Sequence, residues 1–477
     1  MLIVLATLHV CLVLGFTLRI LLRDDLSPPA RLAWFIVINI APYFGIMVYF
    51  LFGEVDIGHR SAKRYTEITE KIRETSGHLT SDASSIDDLI DPLYQPAFEY
   101  AASINGFHPV RGNTARLMPS PKDTVDAMVK DIDAAKEHVH VLYYIWLDDE
   151  TGTALAEALI RATSRGVTCR AMADGLGSRA LVSSALWRRM EKAGVQLAVA
   201  LPLNNPILTV LTSRLDLRNH RKITVVDGRV TYCGSRNSAD PEFRIKPRFA
   251  PWVDIMLRLE GPVVLQNQVL FVGDWMEATG ENLLSLLVLP PERSGGFPAA
   301  VIGDGPTERS GATPQLFSNL IACARREVVI STPYFVPDAT LVSALCSAAY
   351  RGVEVTLILP SRNDSWVVAA ASRSYYRSLL EAGCKIHEFE GGLLHAKTFT
   401  MDGQITLVGS SNLDIRSFDL NYENNMLLQD EATTQAVLKR QREYLQTSTP
   451  ETLATVLAWS FGRRVWHNVV ATVGPIL

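Results

Sequence analysis

Two stretches of this chain carry the same polar residues at the same spacing: NHRKITVVDGRVTYCGSRN, Asn219 to Asn237, and LHAKTFTMDGQITLVGSSN, Leu394 to Asn412. Each runs His-x-Lys, then Asp-Gly, then Gly-Ser-x-Asn. The segments ahead of them match in the same order. A strand-like run (HVHVLYYIWLDD, EVVISTPYFVPD) leads into a helical pattern, then Arg-Gly-Val and an apolar strand. A second helix follows, ending in Ala-Gly at Ala193-Gly194 and Ala382-Gly383. A duplicated unit of about 180 residues is too long for a solenoid repeat and calls for two similar α/β domains. The 477 residues fit that count, being too many for one ordinary core.

Asp-Gly between β-type residues marks a tight hairpin. A two-residue loop at Asp227-Gly228 sets Ser235 opposite His220, and alternation adds Lys222 and Asn237 to that face. The second copy sets Ser410 opposite His395, with Lys397 and Asn412 beside them. Asp227 and Asp402 sit in the turns, roughly 16 Å along the strand from their lysines and on the other face. They are expected to form the turn or a structural ion pair.

The set has a chemistry. Histidine is a nucleophile or proton carrier near neutral pH. Lysine is a point charge for a phosphate oxygen. Ser235, Asn237, Ser410 and Asn412 are expected to hold the remaining oxygens. Two such sets facing each other supply a histidine on either side of one phosphorus, one to attack and one to protonate the leaving alcohol. Two lysines neutralise the phosphate, so no metal or other cofactor is expected.

Composition narrows the partners. A net charge of −4 gives no nucleic-acid footprint, and no basic groove is legible. The six cysteines are scattered, without a C-x-x-C pair, which fits buried thiols in a reducing compartment.

The first sixty residues hold two long apolar runs, Leu2 to Leu22 and Leu32 to Gly53. Each has the ~20 residues that a membrane-crossing helix needs. The short link RDDLSPPAR makes them a hairpin. Arg60, Lys63, Arg64, Lys71 and Arg73 follow the second run, against Arg23 and Arg31 between the runs, which puts the remainder on the cytoplasmic side. The expected divisions are a transmembrane hairpin at 1–57, a cytoplasmic linker at 58–105, and two α/β domains at 106–285 and 286–477. The first domain carries an extra stretch, NNPILTVLTSRLDLR. It reads as a surface loop or as an apolar lip (Ile207, Leu208, Val210, Leu211) dipping into a bilayer interface. The C-terminal VLAWSFGRRVWHNVVATVGPIL reads as a core-packing or an interfacial helix.

The doubled pattern H-x-K-x4-D-x6-G-S-x-N resembles the signature of the phospholipase D superfamily. Within it, ARLAWFIVINIAPYFGIMVYFLFGE, PYFVPD, GLLHAKT and SSNLDIRSFDLNYENN resemble bacterial cardiolipin synthases, over nearly the full length. The resemblance implies two α/β/α domains related by a pseudo-twofold axis, in the inner membrane. It implies transfer of a phosphatidyl group from one phosphatidylglycerol to another, releasing glycerol and making cardiolipin through a phosphatidyl-histidine. It implies catalytic roles for His220, Lys222, Asp227, His395, Lys397 and Asp402, with His220 as the nucleophile and His395 as the acid and base. It also implies an acid behind each histidine, at the places filled by Asp254 and Glu423. A hydrolase of the same superfamily, giving phosphatidic acid, uses the same residues.

Overall fold

A computed structural model describes residues 2–23, 26, 28–53, 59–80, 84–202, 216–288 and 295–472. The chain divides into a small N-terminal unit, which takes in residues 1–59, and a large unit holding both repeats. The apolar insert with Ile207, Leu208, Val210 and Leu211 lies outside the described residues.

The N-terminal unit opens with one 20-residue helix, Leu2–Leu21, which is long and apolar enough to cross a membrane. The second apolar run is not one helix. It breaks into Pro28–Ile40 and Pro42–Phe52, each short of a full crossing. The break is at Ala41, whose backbone (φ −129°, ψ 68°) is turned out of the helical region. Pro42 causes it, because its ring disfavours helix in the residue before it. The three helices pack through Ile20, Ile38 and Tyr49. The Tyr49 ring meets Phe16 and Trp34 edge-on.

In the large unit, strands of both repeats join one sheet. From the first repeat inward the order is Gln196–Ala200, Thr168–Asp174, His138–Tyr143, Lys222–Val226, Val230–Gly234, Met256–Glu260 and Val110–Leu117. It continues through Phe297–Asp304, Asn421–Gln429, Ile405–Gly409, Thr398–Met401, Glu327–Ser331, Glu354–Pro360 and Lys385–Phe389, with Ser448–Glu451 at the edge. The two halves thus list corresponding strands in mirrored order. They meet where Val110–Leu117 pairs antiparallel with Phe297–Asp304. Helices cover both faces; Val263–Thr279 in the first half is buried along most of its length. One apolar core runs through the join, combining Ile223, Val225 and Leu257 with Val301, Val408 and Met426.

The stretch 58–105, expected as a linker, is helical over most of its described residues. It folds as His59–Thr80, Ser84–Leu89 and Gln95–Asn105. Ile68 and Ile72 enter the shared core, and Ala97, Phe98 and Ala101 pack with Leu316 and Leu320 of the second half. These residues recur at helical spacing, so each helix has an apolar stripe to bury.

Candidate active site

The hairpin turns hold three residues, not two. Val226 pairs with Val230, and Met401 with Ile405. Asp227 and Asp402 take left-handed backbone (φ 50° and 54°), as do the glycines after them. The register therefore shifts by one from the expected pairing: Thr224 faces Tyr232, and Ser235 does not lie opposite His220. The regular ladder starts at Lys222 and stops at Gly234, so His220, Ser235 and Asn237 are positioned by other elements.

Neither signature aspartate joins the histidines. The Asp227 carboxylate accepts the backbone N–H groups of Lys136, Glu137 and His138 at 2.8–2.9 Å. Asp402 accepts those of Arg325, Arg326 and Glu327 at 2.7–3.0 Å. Each ties its turn to the start of the neighbouring strand. The turn-forming expectation fits this geometry, and the catalytic assignment that the resemblance carried to them does not.

The histidines are held by an exchange between the halves. Ahead of His220, Arg218–Asn219 pairs parallel with Asn421–Tyr422, and the His220 N–H donates to the Tyr422 carbonyl at 2.9 Å. Ahead of His395, Leu393–Leu394 pairs parallel with Trp252–Val253, and the His395 N–H donates to the Val253 carbonyl at 2.9 Å. Each histidine is thus fixed one residue before the acid of the other half. His220 Nδ1 lies 2.9 Å from both Glu423 oxygens, and His395 Nδ1 lies 2.6 Å from Asp254 Oδ1.

The Gly-Ser pair serves that exchange. A Cβ on Gly234 would lie 2.3 Å from the Ile255 carbonyl oxygen, and one on Gly409 would lie 2.4 Å from that of Asn424. Only glycine lets the acid-bearing strand come so close. The following serines then bind behind the acids. Ser235 donates to Asp254 Oδ1 at 2.6 Å and accepts the Ile255 N–H. Ser410 accepts the Asn424 N–H at 2.9 Å. The expected phosphate-holding serines therefore have their hydroxyls turned to the acid strands. Asn237 accepts the Ile145 N–H at 3.3 Å, while Asn412 donates to Ser417 and has no partner for its buried Oδ1 among the described residues.

The two lysines lie in the same pocket of charge, each acting on the other and on both acids. Lys222 Nζ donates to the His220 carbonyl at 2.5 Å; Lys397 Nζ donates to the His395 carbonyl at 2.9 Å. Burial pulls Lys222 down to about 7, opposed by Glu423 and helped by Lys397, and pulls Lys397 down to about 8 against Asp254 and Glu423. Burial also pulls His220 down to about 4, helped by Lys222 and opposed by Glu423. His395 is lowered by burial and by Lys397. Burial works against both carboxylates, but histidine and lysine hold Glu423 near 2 and Asp254 well below the usual range. Neutral imidazoles beside ionised carboxylates put the ring proton on Nδ1 and leave the Nε2 lone pair available.

Here the two sides differ. Lys397 Nζ is 3.0 Å from His395 Nε2, whereas His220 Nε2 bonds no protein group among the described residues. Aromatic walls stand beside both: Tyr144 at 4.9 Å from the His220 ring, Trp252 at 4.6 Å from the His395 ring. Sequence reasoning passed over Tyr144, Trp252 and also Asn424, whose side chain bonds the Lys222 backbone on both sides. Position carried a signal for Tyr144: it follows the strand His138–Tyr143 directly, as Tyr334 follows the corresponding strand Glu327–Ser331 by three residues.

A family model described as "Cardiolipin synthase, PLD-like domain" matches residues 128–246 and 317–444, and one described as "Phospholipase_D-nuclease N-terminal" matches 11–54. The chain is 36% identical over 464 residues to a protein of Edwardsiella ictaluri named cardiolipin synthase A, covering 96% of this chain and 94% of that one. A protein of the same name from Yersinia pseudotuberculosis is 36% identical over 470 residues, with the same coverage. Among solved structures, a phosphatidylserine synthase of Haemophilus influenzae aligns over 81% of this chain and 100% of its own, with a TM-score of 0.59 and 14% identity. That likeness concerns the fold.

Proposed function

Since the chain belongs to the cardiolipin synthase family of the phospholipase D superfamily, we propose that its two hairpins make cardiolipin from two phosphatidylglycerols by way of a phosphatidyl-histidine. The family supports phosphatidyl transfer between phospholipids. One observation supports the finer steps: two buried imidazoles, each backed by the other half's carboxylate, with only His220 Nε2 unengaged among the described residues.

His220 Nε2 attacks the phosphorus of the first phosphatidylglycerol. The bond from phosphorus to the glycerol headgroup oxygen breaks, and His395 gives that oxygen a proton, releasing glycerol. The bound phosphodiester charge raises the His395 pKa and so loads it for this step. His395 then takes the proton of a terminal hydroxyl on the second phosphatidylglycerol. That oxygen attacks phosphorus, the P–N bond breaks, and cardiolipin leaves. Lys222 and Lys397 balance the phosphate charge, and Glu423 and Asp254 orient the rings. One phosphodiester replaces another, so no nucleotide is required, and the charge balance requires no metal.

Pseudo-twofold symmetry of the two repeats, with a division near 285/286, accounts for one histidine on each side of a single phosphorus. The helix Leu2–Leu21 and the pair after it anchor the chain in the inner membrane, with the repeats facing the cytoplasm. The test is a product assay on phosphatidylglycerol liposomes, with lipids identified by mass and EDTA present. Cardiolipin and free glycerol in equal amounts are expected. Phosphatidic acid alone would overturn the synthase reading, and loss in EDTA with rescue by a divalent ion would overturn its metal-free part.

A further inference from the structure

The C-terminal helix Phe461–Thr472 buries His467 and Val470 and turns a different set of residues outward. Phe461 is 79% exposed, Trp466 50%, and Val465 and Val469 are likewise uncovered. Trp366, 67% exposed, opens a second helix, Trp366–Ser374, and stacks on Trp466 at 5.7 Å with their planes 14° apart. Two tryptophans from distant parts of the chain thus form one outward apolar surface. A large uncovered aromatic surface on a folded unit marks an interaction site.

Its charge points to the occupant. The helix carries Arg463 and Arg464, both exposed, and no acidic residue. Beside Trp366, exposed Arg362 lies on the same connection. Asp364, two residues before Trp366, is bonded by Lys246 Nζ at 2.6 Å, which brings in the exposed loop of Arg244, Ile245 and Arg248. Tryptophans with arginines around them suit a bilayer boundary: rings at the headgroup level, cations on anionic phosphates.

The surface is also joined to the site. Val336 packs with Ala370, Ala371 and Val470 on the inner side of these helices. Strand Phe335–Val336 pairs with Leu413–Asp414, directly after Asn412 of the second hairpin. Asp364 also accepts the Tyr334 hydroxyl at 2.7 Å.

We infer that Trp366, Phe461 and Trp466, with Arg463 and Arg464, form a second membrane contact: the face on which the large unit rests on anionic bilayer while its lipid substrates enter the site. The inference takes from the proposed function only that the substrates are bilayer lipids.

The test uses the full chain in vesicles of phosphatidylcholine and phosphatidylglycerol, with phosphatidylcholine brominated near the headgroup end of its chains. Bromine quenches tryptophan at that depth. The wild type is expected to be quenched more than the Trp366→Phe/Trp466→Phe variant, a comparison that removes the Trp34 background. The excess is expected to shrink when phosphatidylglycerol is left out. Equal quenching of the two proteins overturns the contact, and an excess indifferent to lipid charge overturns the anionic preference. Phe461→Asp, at a site too exposed to matter for folding, is expected to lower turnover on vesicles about tenfold and to leave turnover of short-chain monomeric lipid unchanged. Equal turnover on vesicles overturns the proposal. Quenching reads the contact whether or not the product is cardiolipin, so failure of the surface and failure of the functional reading are told apart.

Discussion

The two hairpins share one spacing and differ at one atom. On the second, Lys397 reaches around to His395 Nε2; on the first, Lys222 stays on the His220 carbonyl and Nε2 meets no partner among the described residues. A duplicated motif therefore does not impose a duplicated role. Both rings are neutral and both are backed by a carboxylate, but among the described residues only the His220 ring has an Nε2 that no protein group engages. The other already sits in a proton-transfer contact. The difference suits a nucleophile on one side and an acid and base on the other.

The largest effect that breaks this comparison comes from the histidines. His220→Ala and His395→Ala are each expected to lower kcat on the order of 10⁵-fold or more, since the pair acts as a unit. Acid-labile, alkali-stable label from phosphatidylglycerol should remain trappable in the His395 variant and be absent from the His220 variant. The opposite pattern would exchange the roles.

Next come the crossed acids. Glu423→Gln and Asp254→Asn keep the shape and lose the charge. Each is expected to lower kcat on the order of 10³- to 10⁴-fold with KM nearly unchanged, measured on vesicles at saturating lipid. If either acid served only packing, the amide would leave kcat intact.

The pH profile separates the rings from the lysines. Protonation of His220 removes its lone pair, so kcat/KM falls as pH drops toward about 4. Lys222 and Lys397 carry depressed pKa values and are charged only below about 7 and about 8, so kcat/KM falls again as pH rises through that window. The phosphodiester anion favours the charged ammoniums, so the alkaline limb of kcat lies above that of kcat/KM. An alkaline limb near the ordinary lysine value in both profiles would contradict the buried-lysine account.

The smallest effect on chemistry belongs to the turn aspartates. Asp227→Ala and Asp402→Ala each strand three backbone N–H groups, and each should cost about 2–4 kcal/mol of stability. Asp402, the more deeply buried of the two, should show the larger loss in Tm. Folded protein should keep kcat within a fewfold; a collapse of kcat at full stability would return these residues to the reaction.

Much of the fold was legible because it rests on local pattern. Asp-Gly turns, helical stripes and the repeat itself are read from spacing. The errors arose where one residue's backbone decided the outcome. Adding Arg229 to the turn shifted the register by one, and Pro42 broke an apolar run that composition alone makes continuous. The serines were misplaced for the same reason: regular alternation ends at Gly234 and Gly409, where close approach of another strand takes over.

By itself the sequence singled out the two His-x-Lys pairs as the candidates for chemistry, because two copies of one spacing cannot be explained by a solvated strand. The resemblance to the phospholipase D superfamily pointed to Asp254 and Glu423 as the acids behind the histidines. It left open which acid serves which ring. That is a contact between segments about 140 to 200 residues apart. Only the tertiary structure decided it, by laying the strand before each histidine along the strand before the other half's acid.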